Sequence, residues 1–145
     1  MEGVRDPGLL DVDRLTDAQA RELHALYQEE WWTRGRTLEE TRSMLRHTDL
    51  LFAICDRGSG RLVAFARVLT DRVFKAFIFD VIVARERRRS GLGARLMRRI
   101  LAHPDLRAVR HFELACRKEL APFYGRFGFT MEVGGIWLMR RCRPE

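Results

Sequence analysis

The chain has 145 residues, 46% of them hydrophobic, so it is long enough to bury a core and too apolar to be disordered throughout. Its formal charge of +7 favours anionic partners, such as nucleic acid, an anionic surface or a phosphate-rich cofactor. The three cysteines form no Cys-x-x-Cys pair and the four histidines form no cluster, which argues against a disulfide framework or a metal site. No signal peptide, membrane-spanning run or linker is apparent. We therefore expect one domain over residues 1–145, with reduced thiols, in the cytoplasm.

The first half of the chain predicts two helices and a β-hairpin. Thr16 is a good N-cap, and Leu23 and Tyr27 follow it at helical spacing. The segment Thr37–Glu40 is typical of a capping box that opens a second helix. Two apolar runs then flank a turn at Arg57–Gly60. The predicted elements are a short strand at Leu9–Arg14, helices at Thr16–Glu30 and from Thr37, and strands at Leu50–Asp56 and Leu62–Leu69.

The second half is organised around a long strand that is apolar on both faces, which is typical of a central, covered position. A basic turn with two glycines follows this strand, and apolar residues at helical spacing then predict a helix that ends before Pro104. The predicted elements are strands at Phe74–Val83 and His111–Cys116, a helix from the turn to about Leu101, a short helix at Ala121–Phe127, and one or two closing strands within Met131–Met139. This order of elements predicts a mixed sheet with helices on both faces.

The basic turn has the chemistry of an anion-binding loop. Gly91 and Gly93 lack a Cβ, so a ligand can approach the backbone closely at the start of the helix. The run Arg87–Arg89 adds forked donors suited to phosphate oxygens. No Gly-Lys-Ser/Thr follows, and Leu96 stands where a dinucleotide-binding loop has its third glycine. The alternative is a capped helix with a solvated basic face.

Two motifs resemble those of the GCN5-related N-acetyltransferase (GNAT) family. Arg88-x-x-Gly91-x-Gly93 after a strand resembles the loop that binds the acyl-CoA pyrophosphate, and Tyr124-x-x-x-Gly128-Phe129 resembles the family's Tyr-x-x-x-Gly-Phe segment. The resemblance implies an α/β fold with a mixed, mostly antiparallel central sheet, helices on both faces and splayed central strands. It also implies acetyl-CoA as cosubstrate and direct transfer of the acyl group to a primary amine.

The resemblance assigns most of the cofactor-binding residues. The main chain of the central strand would bind the pantetheine arm, and a backbone N–H near Val81 would polarise the thioester carbonyl. Many family members have Asn seven residues before the Tyr, but Arg117 stands there and could instead reach a phosphate. The predicted cofactor-binding residues are Val81, Ile82, Val83, Arg88, Arg89, Ser90, Gly91, Leu92, Gly93, Ala94 and Arg117.

Three residues are candidates for acid and base chemistry. The resemblance makes Tyr124 the proton donor to the leaving thiolate, since a phenol is protonated at neutral pH; the alternative is a half-buried core aromatic. Asp80 alternates with Ile78 and Ile82 in the sequence, so it would lie on an apolar face as a general base or a water-ordering residue. A structural Asp bonded to nearby backbone is equally consistent with this pattern. Glu113 is a second candidate base.

The acceptor site is the least determined part. In the family it is lined by the first two helices, their connection and the closing strands. Here the connection holds Trp32, Arg34 and Arg36, which would suit an acceptor with a carboxylate or phosphate, or would only cover the sheet edge.

Three functions fit the sequence. The leading one is an acetyl-CoA-dependent N-acetyltransferase acting on a small-molecule or protein amine, with no nucleic-acid or membrane partner and with homodimer formation left open. The second is a basic nucleic-acid-binding module, although no aromatics interleave with the arginines. The third is a protein with the same fold that binds CoA without catalysis, as a sensor or partner subunit.

Overall fold

The computed structural model describes residues 6–144, which form two units that divide between Leu114 and Ala115. No helix within that range is both long enough and apolar enough to cross a membrane. The expectation of one domain over residues 1–145 stays a prediction.

The described part of the first unit contains five strands and three α-helices, and these include every element predicted for it. Their ends differ from the prediction by no more than two residues. In chain order they are β1 (Leu9–Val12), α1 (Asp17–Glu29), α2 (Leu38–Arg46), β2 (Leu50–Asp56), β3 (Leu62–Thr70), β4 (Lys75–Val83), α3 (Leu92–Leu101) and β5 (His111–Leu114). Single 3-10 turns follow β4 and α3, at Arg85–Arg87 and Pro104–Leu106.

The two predicted helix starts are confirmed. The Thr16 hydroxyl accepts a hydrogen bond from the Gln19 N–H at 3.1 Å, and the Gln19 side chain accepts one from the Thr16 N–H at 3.0 Å. This capping box occupies two donors that the first turn of α1 leaves without helical partners. At α2, the Thr37 hydroxyl accepts from the Glu40 N–H at 3.0 Å.

The strands form one sheet in the order β1-β2-β3-β4-β5. The first four strands are antiparallel neighbours, and β5 pairs parallel to β4. The connection from β4 to β5 runs through α3, as a parallel crossover requires. The prediction of a mixed, mostly antiparallel sheet is therefore confirmed.

Helices α1 and α3 cover opposite faces of this sheet. Ala53 of β2 belongs to a buried cluster that includes Leu23 and Tyr27 of α1. The neighbouring Phe52 has its ring 5.5 Å from the Arg99 guanidinium of α3. Because adjacent residues of a strand face opposite sides of a sheet, the two helices pack on different sides.

A β-bulge at Asp80 changes the faces of β4. The register pairs Ile78 with Val68 and Ile82 with Phe65, so that β4 has one residue more than β3 between these pairs. Asp80 has a φ of 55°, a left-handed conformation that Asp tolerates better than most residues. The prediction that Asp80 alternates with Ile78 and Ile82 on one face is wrong, because the extra residue puts the two isoleucines on opposite faces.

Within the first unit, the last part of β4 has a partner on one side only. The ladder with β5 begins at Lys75 and ends at Ile78, which is paired with Leu114. Beyond it, β4 continues to Val83 and pairs with β3 alone in this unit. One edge of the segment that follows Ile78 is therefore open in the first unit, at the place where the resemblance implies splayed strands.

The second unit contains a 3-10 turn at Lys118–Leu120 and a short helix, α4 (Ala121–Gly125). The helix ends two residues before the predicted Phe127. The closing strands predicted within Met131–Met139 are wrong, since none of these residues is in a strand. Gly134 and Gly135 have φ of 71° and 76°, so they form a left-handed turn. Apolar, β-branched sequence becomes a strand only where a ladder partner is available, which short-range pattern does not specify.

Candidate active site

The N-terminus of α3 offers backbone N–H groups without a competing side chain. Gly91 is its N-cap, with a φ of 82°, and neither a side-chain cap nor an acidic residue is found in the first turn. The first N–H groups of a helix have no helical partner and carry a partial positive charge. Arg89 also has a positive φ, of 62°. We call residues 84–94 the cofactor loop. It includes the predicted residues Arg89, Ser90, Gly91, Leu92, Gly93 and Ala94.

Arg88 is tied to the end of β4 and to the end of α1. Its Nε donates to the Val83 carbonyl at 3.2 Å, and its Nη2 pairs with the Glu30 carboxylate. The arginine and glutamate side chains are 44% and 21% exposed. The guanidinium is thus accessible, and a carboxylate holds the place that a phosphate would take.

The backbone of β4 supplies the second predicted part of the cofactor site. Val81, Ile82 and Val83 lie in the segment whose edge is open in the first unit. Pyrophosphate requires donors at a loop, and a pantetheine arm requires an unpaired strand edge. The chain places these two features next to each other, since the cofactor loop begins where β4 ends. These residues therefore fit CoA.

Asp80 lies one residue before Val81 at the centre of a buried polar group. Its Oδ2 accepts hydrogen bonds from the Tyr27 hydroxyl at 2.9 Å, from Arg36 Nη1 at 2.8 Å and from Arg67 Nε at 2.8 Å. Its Oδ1 accepts from Arg36 Nη2 at 3.3 Å. We call Tyr27, Arg36, Arg67 and Asp80 the Asp80 cluster.

The cluster sets the protonation of its members. Burial alone would raise the pKa of Asp80, but the hydrogen bonds from Arg36 and Arg67 outweigh it and hold the pKa of that carboxyl below its usual range. Burial and the Asp80 charge raise the pKa of Tyr27, so this phenol stays neutral. A carboxylate with a lowered pKa and several donors is a poor proton acceptor. The geometry gives Asp80 a structural role, but its partners are side chains and not the nearby backbone that the alternative named. Its role as a base stays a prediction.

Glu113 lies away from this group. It is on β5, opposite Phe77, and its carboxylate pairs with Lys75 at the start of β4. Phe77, which lies opposite Glu113, is four positions before Val81, or roughly 13 Å along a strand. The structure does not bring Glu113 to the place where the thioester would lie.

The three predicted acceptor residues differ in their surroundings. Trp32 is 38% exposed, and the exposed Arg34 donates through Nε to the Gln28 carbonyl at 3.3 Å. Arg36 instead belongs to the Asp80 cluster, with its guanidinium 4.6 Å from the centre of the Tyr27 ring. The structure therefore brings together Arg36 and Asp80, which the sequence analysis treated as separate sites.

Tyr124 and Arg117 lie in the second unit. Tyr124 is a buried residue of α4, and burial together with Cys116 raises its pKa to about 12. Its ring packs edge-on against Phe123 and Phe129, with centroid distances of 4.9 Å and 6.2 Å. Arg117 is exposed and precedes the 3-10 turn. Both keep their assigned roles as predictions.

Sequence reasoning missed Tyr27, Arg67 and Glu30 as members of these sites. Tyr27 follows the apolar spacing of α1, and Arg67 stands within an otherwise apolar strand. The one available signal was the charge of Arg67, since an arginine inside a buried strand requires a carboxylate partner. Glu30 gave no signal, because it is an ordinary residue at a helix end.

The sequence matches the family model of the Acetyltransferase (GNAT) family over residues 13–129, so the chain belongs to this family. A structure from Xanthomonas campestris pv. campestris, of a protein assigned to the same family, is 32% identical and has a TM-score of 0.80, with 95% of each chain covered.

Two curated plant proteins are also similar. The chain is 31% identical over 129 residues to serotonin N-acetyltransferase 2, chloroplastic, of Oryza sativa subsp. japonica, which covers 88% of this chain and 60% of that protein. It is 34% identical over 92 residues to GCN5-related N-acetyltransferase 1, chloroplastic, of Arabidopsis thaliana, covering 63% of this chain and 47% of that protein. The chain thus spans about half to three-fifths of the length of these relatives.

Proposed function

We propose that this protein is an acetyl-CoA-dependent N-acetyltransferase that transfers the acetyl group directly to a primary amine of a small molecule or a protein. The observation that carries the proposal is the glycine-started α3, which has no side-chain cap and follows the open segment of β4 after a short basic turn. Bound acetyl-CoA would supply the activated acyl thioester. The chain itself would hold the pyrophosphate at Ser90–Ala94 and Arg88, and the pantetheine arm along Val81–Val83.

Two groups of the chain would act on the reacting atoms. The backbone N–H near Val81 would donate to the thioester carbonyl oxygen, where negative charge develops. The Tyr124 hydroxyl would hold the proton that the leaving thiolate needs, because a pKa of about 12 keeps it protonated at neutral pH.

The first test is the thermal midpoint with acetyl-CoA, with ATP and a short DNA duplex as controls. Ligand at about one hundred times Kd adds roughly 2.7 kcal/mol, which is a shift of about 5–10 °C for a domain of this size. A shift with acetyl-CoA alone supports the proposal. A shift with DNA but not with acetyl-CoA would contradict it and favour a nucleic-acid-binding module.

The second test separates an enzyme from a CoA-binding sensor. Acetyl transfer is measured on a panel of primary amines that includes serotonin, since one relative carries that name. Tyr124→Phe is expected to lower kcat by about 100-fold and to leave the acetyl-CoA Kd within twofold, because only the proton is lost. Unchanged kcat in this variant would remove Tyr124 from the mechanism, and acetyl-CoA binding without any turnover would favour the sensor.

We further propose a cytoplasmic location and no nucleic-acid or membrane partner, and we leave homodimer formation to measurement. The support for the location is that Cys55, Cys116 and Cys142 are all free thiols, which is typical of reducing compartments. Fractionation of cells would test the location, and light scattering would give the oligomeric state.

A further inference from the structure

The Asp80 cluster carries one positive charge more than it neutralises. It contains two guanidinium groups, one carboxylate and a phenol whose raised pKa keeps it neutral. Among the described residues, no second carboxylate pairs with Arg36 or Arg67. Their side chains are only 30% and 14% exposed. A cation that is largely withdrawn from water without a full complement of negative charge is costly, so an additional anion would stabilise this group.

The unused terminal nitrogens of the cluster belong to Arg67. This residue contacts Asp80 through Nε alone, and its Nη1 and Nη2 make no hydrogen bond to any residue in the described part of the chain. No buried side-chain nitrogen or oxygen in that part lacks a partner, so these two nitrogens are accessible to solvent. A pair of terminal guanidinium nitrogens matches the two oxygens of a carboxylate or a phosphate.

Aromatic rings hold both arginines in place. The Arg67 guanidinium lies 4.7 Å from the centre of the Phe79 ring, and that of Arg36 lies 4.6 Å from the centre of the Tyr27 ring. The Arg36 guanidinium also contacts both oxygens of Asp80. Donors that are fixed before a ligand arrives lose little conformational entropy when it binds.

The position of the two terminal nitrogens of Arg67 suits the binding of an acceptor and not of the cofactor. Arg67 is paired with Phe79 across the sheet, two residues before Val81 on β4. In the proposed function, the Val81 backbone contacts the thioester carbonyl, whereas the pyrophosphate lies beyond the end of the strand. Two residues span about 7 Å along a strand, so the acceptor would carry its anionic group about that far from its amine.

We propose that Arg67, supported by Arg36, binds the carboxylate or phosphate of the acceptor, so that the substrates are small primary amines that also carry an anionic group. This inference rests on the proposed function and specifies its acceptor. Asp80 then serves as a positioning residue that orients both guanidinium groups. Arg34, which the sequence predicts for the acceptor site, donates instead to the Gln28 carbonyl and has no hydrogen bond or ion pair with the cluster among the described residues.

The test compares acceptors in matched pairs that differ by the anionic group: 6-aminohexanoate with 6-aminohexanamide, and glucosamine 6-phosphate with glucosamine. For the wild-type protein we expect kcat/KM to be at least tenfold higher for the anionic member of one pair. The first pair reports on a carboxylate and the second on a phosphate. Equal kcat/KM within both pairs would overturn the inference, and so would the absence of turnover with any anionic amine. In either case, a thermal shift with acetyl-CoA would leave cofactor binding standing.

Arg67→Lys is the variant that tests the two terminal nitrogens of Arg67. Lysine retains the charge and one bond to Asp80 but lacks the two terminal nitrogens, so KM for the anionic acceptor should rise about tenfold while the neutral acceptor changes less than twofold. Arg21→Lys is the matched control and should change neither value, because Arg21 also contacts an aspartate through Nε, at 3.1 Å from Asp17, but lies exposed on α1. An equal loss with both acceptors would contradict the role of Arg67. Urea unfolding reports whether Arg67→Lys is folded, and the wild-type comparison decides the inference if it is not.

Discussion

The Asp80 cluster is centred on β4 and the cofactor loop follows the same strand, but the two regions use arginine in opposite ways. In the loop, Arg88 is 44% exposed and its ion pair with Glu30 is open to water. In the cluster, the Arg67 side chain is 14% exposed, stacks on a ring and shares a buried carboxylate with Arg36. The first arrangement exchanges partners easily, whereas the second fixes a group in one orientation.

The difference matches the role that we propose for each region. A loop that binds and releases a large anion at every turnover requires donors that solvent and ligand can share. A group that orients an acceptor must hold its donors still, which requires burial and several contacts on each guanidinium. We therefore expect changes in the cluster to act on stability and changes in the loop to act on cofactor affinity.

The largest effect is expected from Asp80→Ala. It leaves two largely buried guanidinium groups without their carboxylate, which should lower the free energy of unfolding by about 3–5 kcal/mol. Asp80→Asn should lower the free energy of unfolding by about 1 kcal/mol less than Asp80→Ala does. The reason is that asparagine tolerates the left-handed backbone that Asp80 adopts with its φ of 55°. Urea unfolding measures both. A loss of kcat in Asp80→Asn with unchanged unfolding would instead support Asp80 as the general base.

The cluster should also make stability depend on pH. The pKa of Asp80 is lowered in the folded protein, so the stability that its carboxylate contributes is fully present above its unfolded pKa of about 3.9. It is lost as the pH falls through the lower, folded pKa. The difference in unfolding free energy between wild type and Asp80→Asn should be constant from about pH 5 to pH 7 and should shrink below about pH 4. A difference that is the same at pH 3 and pH 7 would show that the carboxylate charge is not the cause.

These two regions also differ in how far the sequence could predict them. The cofactor loop is a local pattern, in which a strand, two glycines and a helix follow one another within the segment from Val81 to Leu101. The family resemblance assigned its residues, and the structure places them as the local pattern required. Local pattern is sufficient there because the chemistry lies in the backbone of consecutive residues.

The Asp80 cluster could not be predicted in the same way. Its hydrogen bonds join residues up to 53 positions apart in the sequence. One inserted residue at the bulge also removes the alternation by which faces are assigned. The closing strands failed for a related reason, since strand formation at Ile136–Met139 depends on a partner that no short-range pattern names.

A moderate effect is expected from Gly91→Val in the cofactor loop. Gly91 has a φ of 82° with open space around it, so valine introduces backbone strain without a steric clash. We expect a loss of about 1–2 kcal/mol in stability and at least a tenfold weaker Kd for acetyl-CoA, because the first turn of α3 must reorganise. Gly60→Val is the matched control: Gly60 has a φ of 74° and equally open surroundings, but lies in the β2–β3 turn. It should lose similar stability and keep its acetyl-CoA affinity, as titration calorimetry can show.

The smallest effect, and the one that most directly tests the exchangeable character of the loop, is expected from Glu30→Gln. The Glu30 carboxylate pairs with Arg88 Nη2, so a phosphate that binds Arg88 through this nitrogen competes with it. Exposed ion pairs contribute at most about 1 kcal/mol, so removing the competitor should tighten the acetyl-CoA Kd by no more than about fivefold. Raising the salt concentration should reduce this gain, because it screens the ion pair in the wild type.

The control is Arg88→Ala, which should weaken acetyl-CoA binding. In a protein that already carries Arg88→Ala, the further change Glu30→Gln should leave the acetyl-CoA Kd unchanged. If Glu30→Gln weakens binding instead, then Glu30 holds Arg88 in its binding orientation, and the loop is fixed in the manner of the Asp80 cluster.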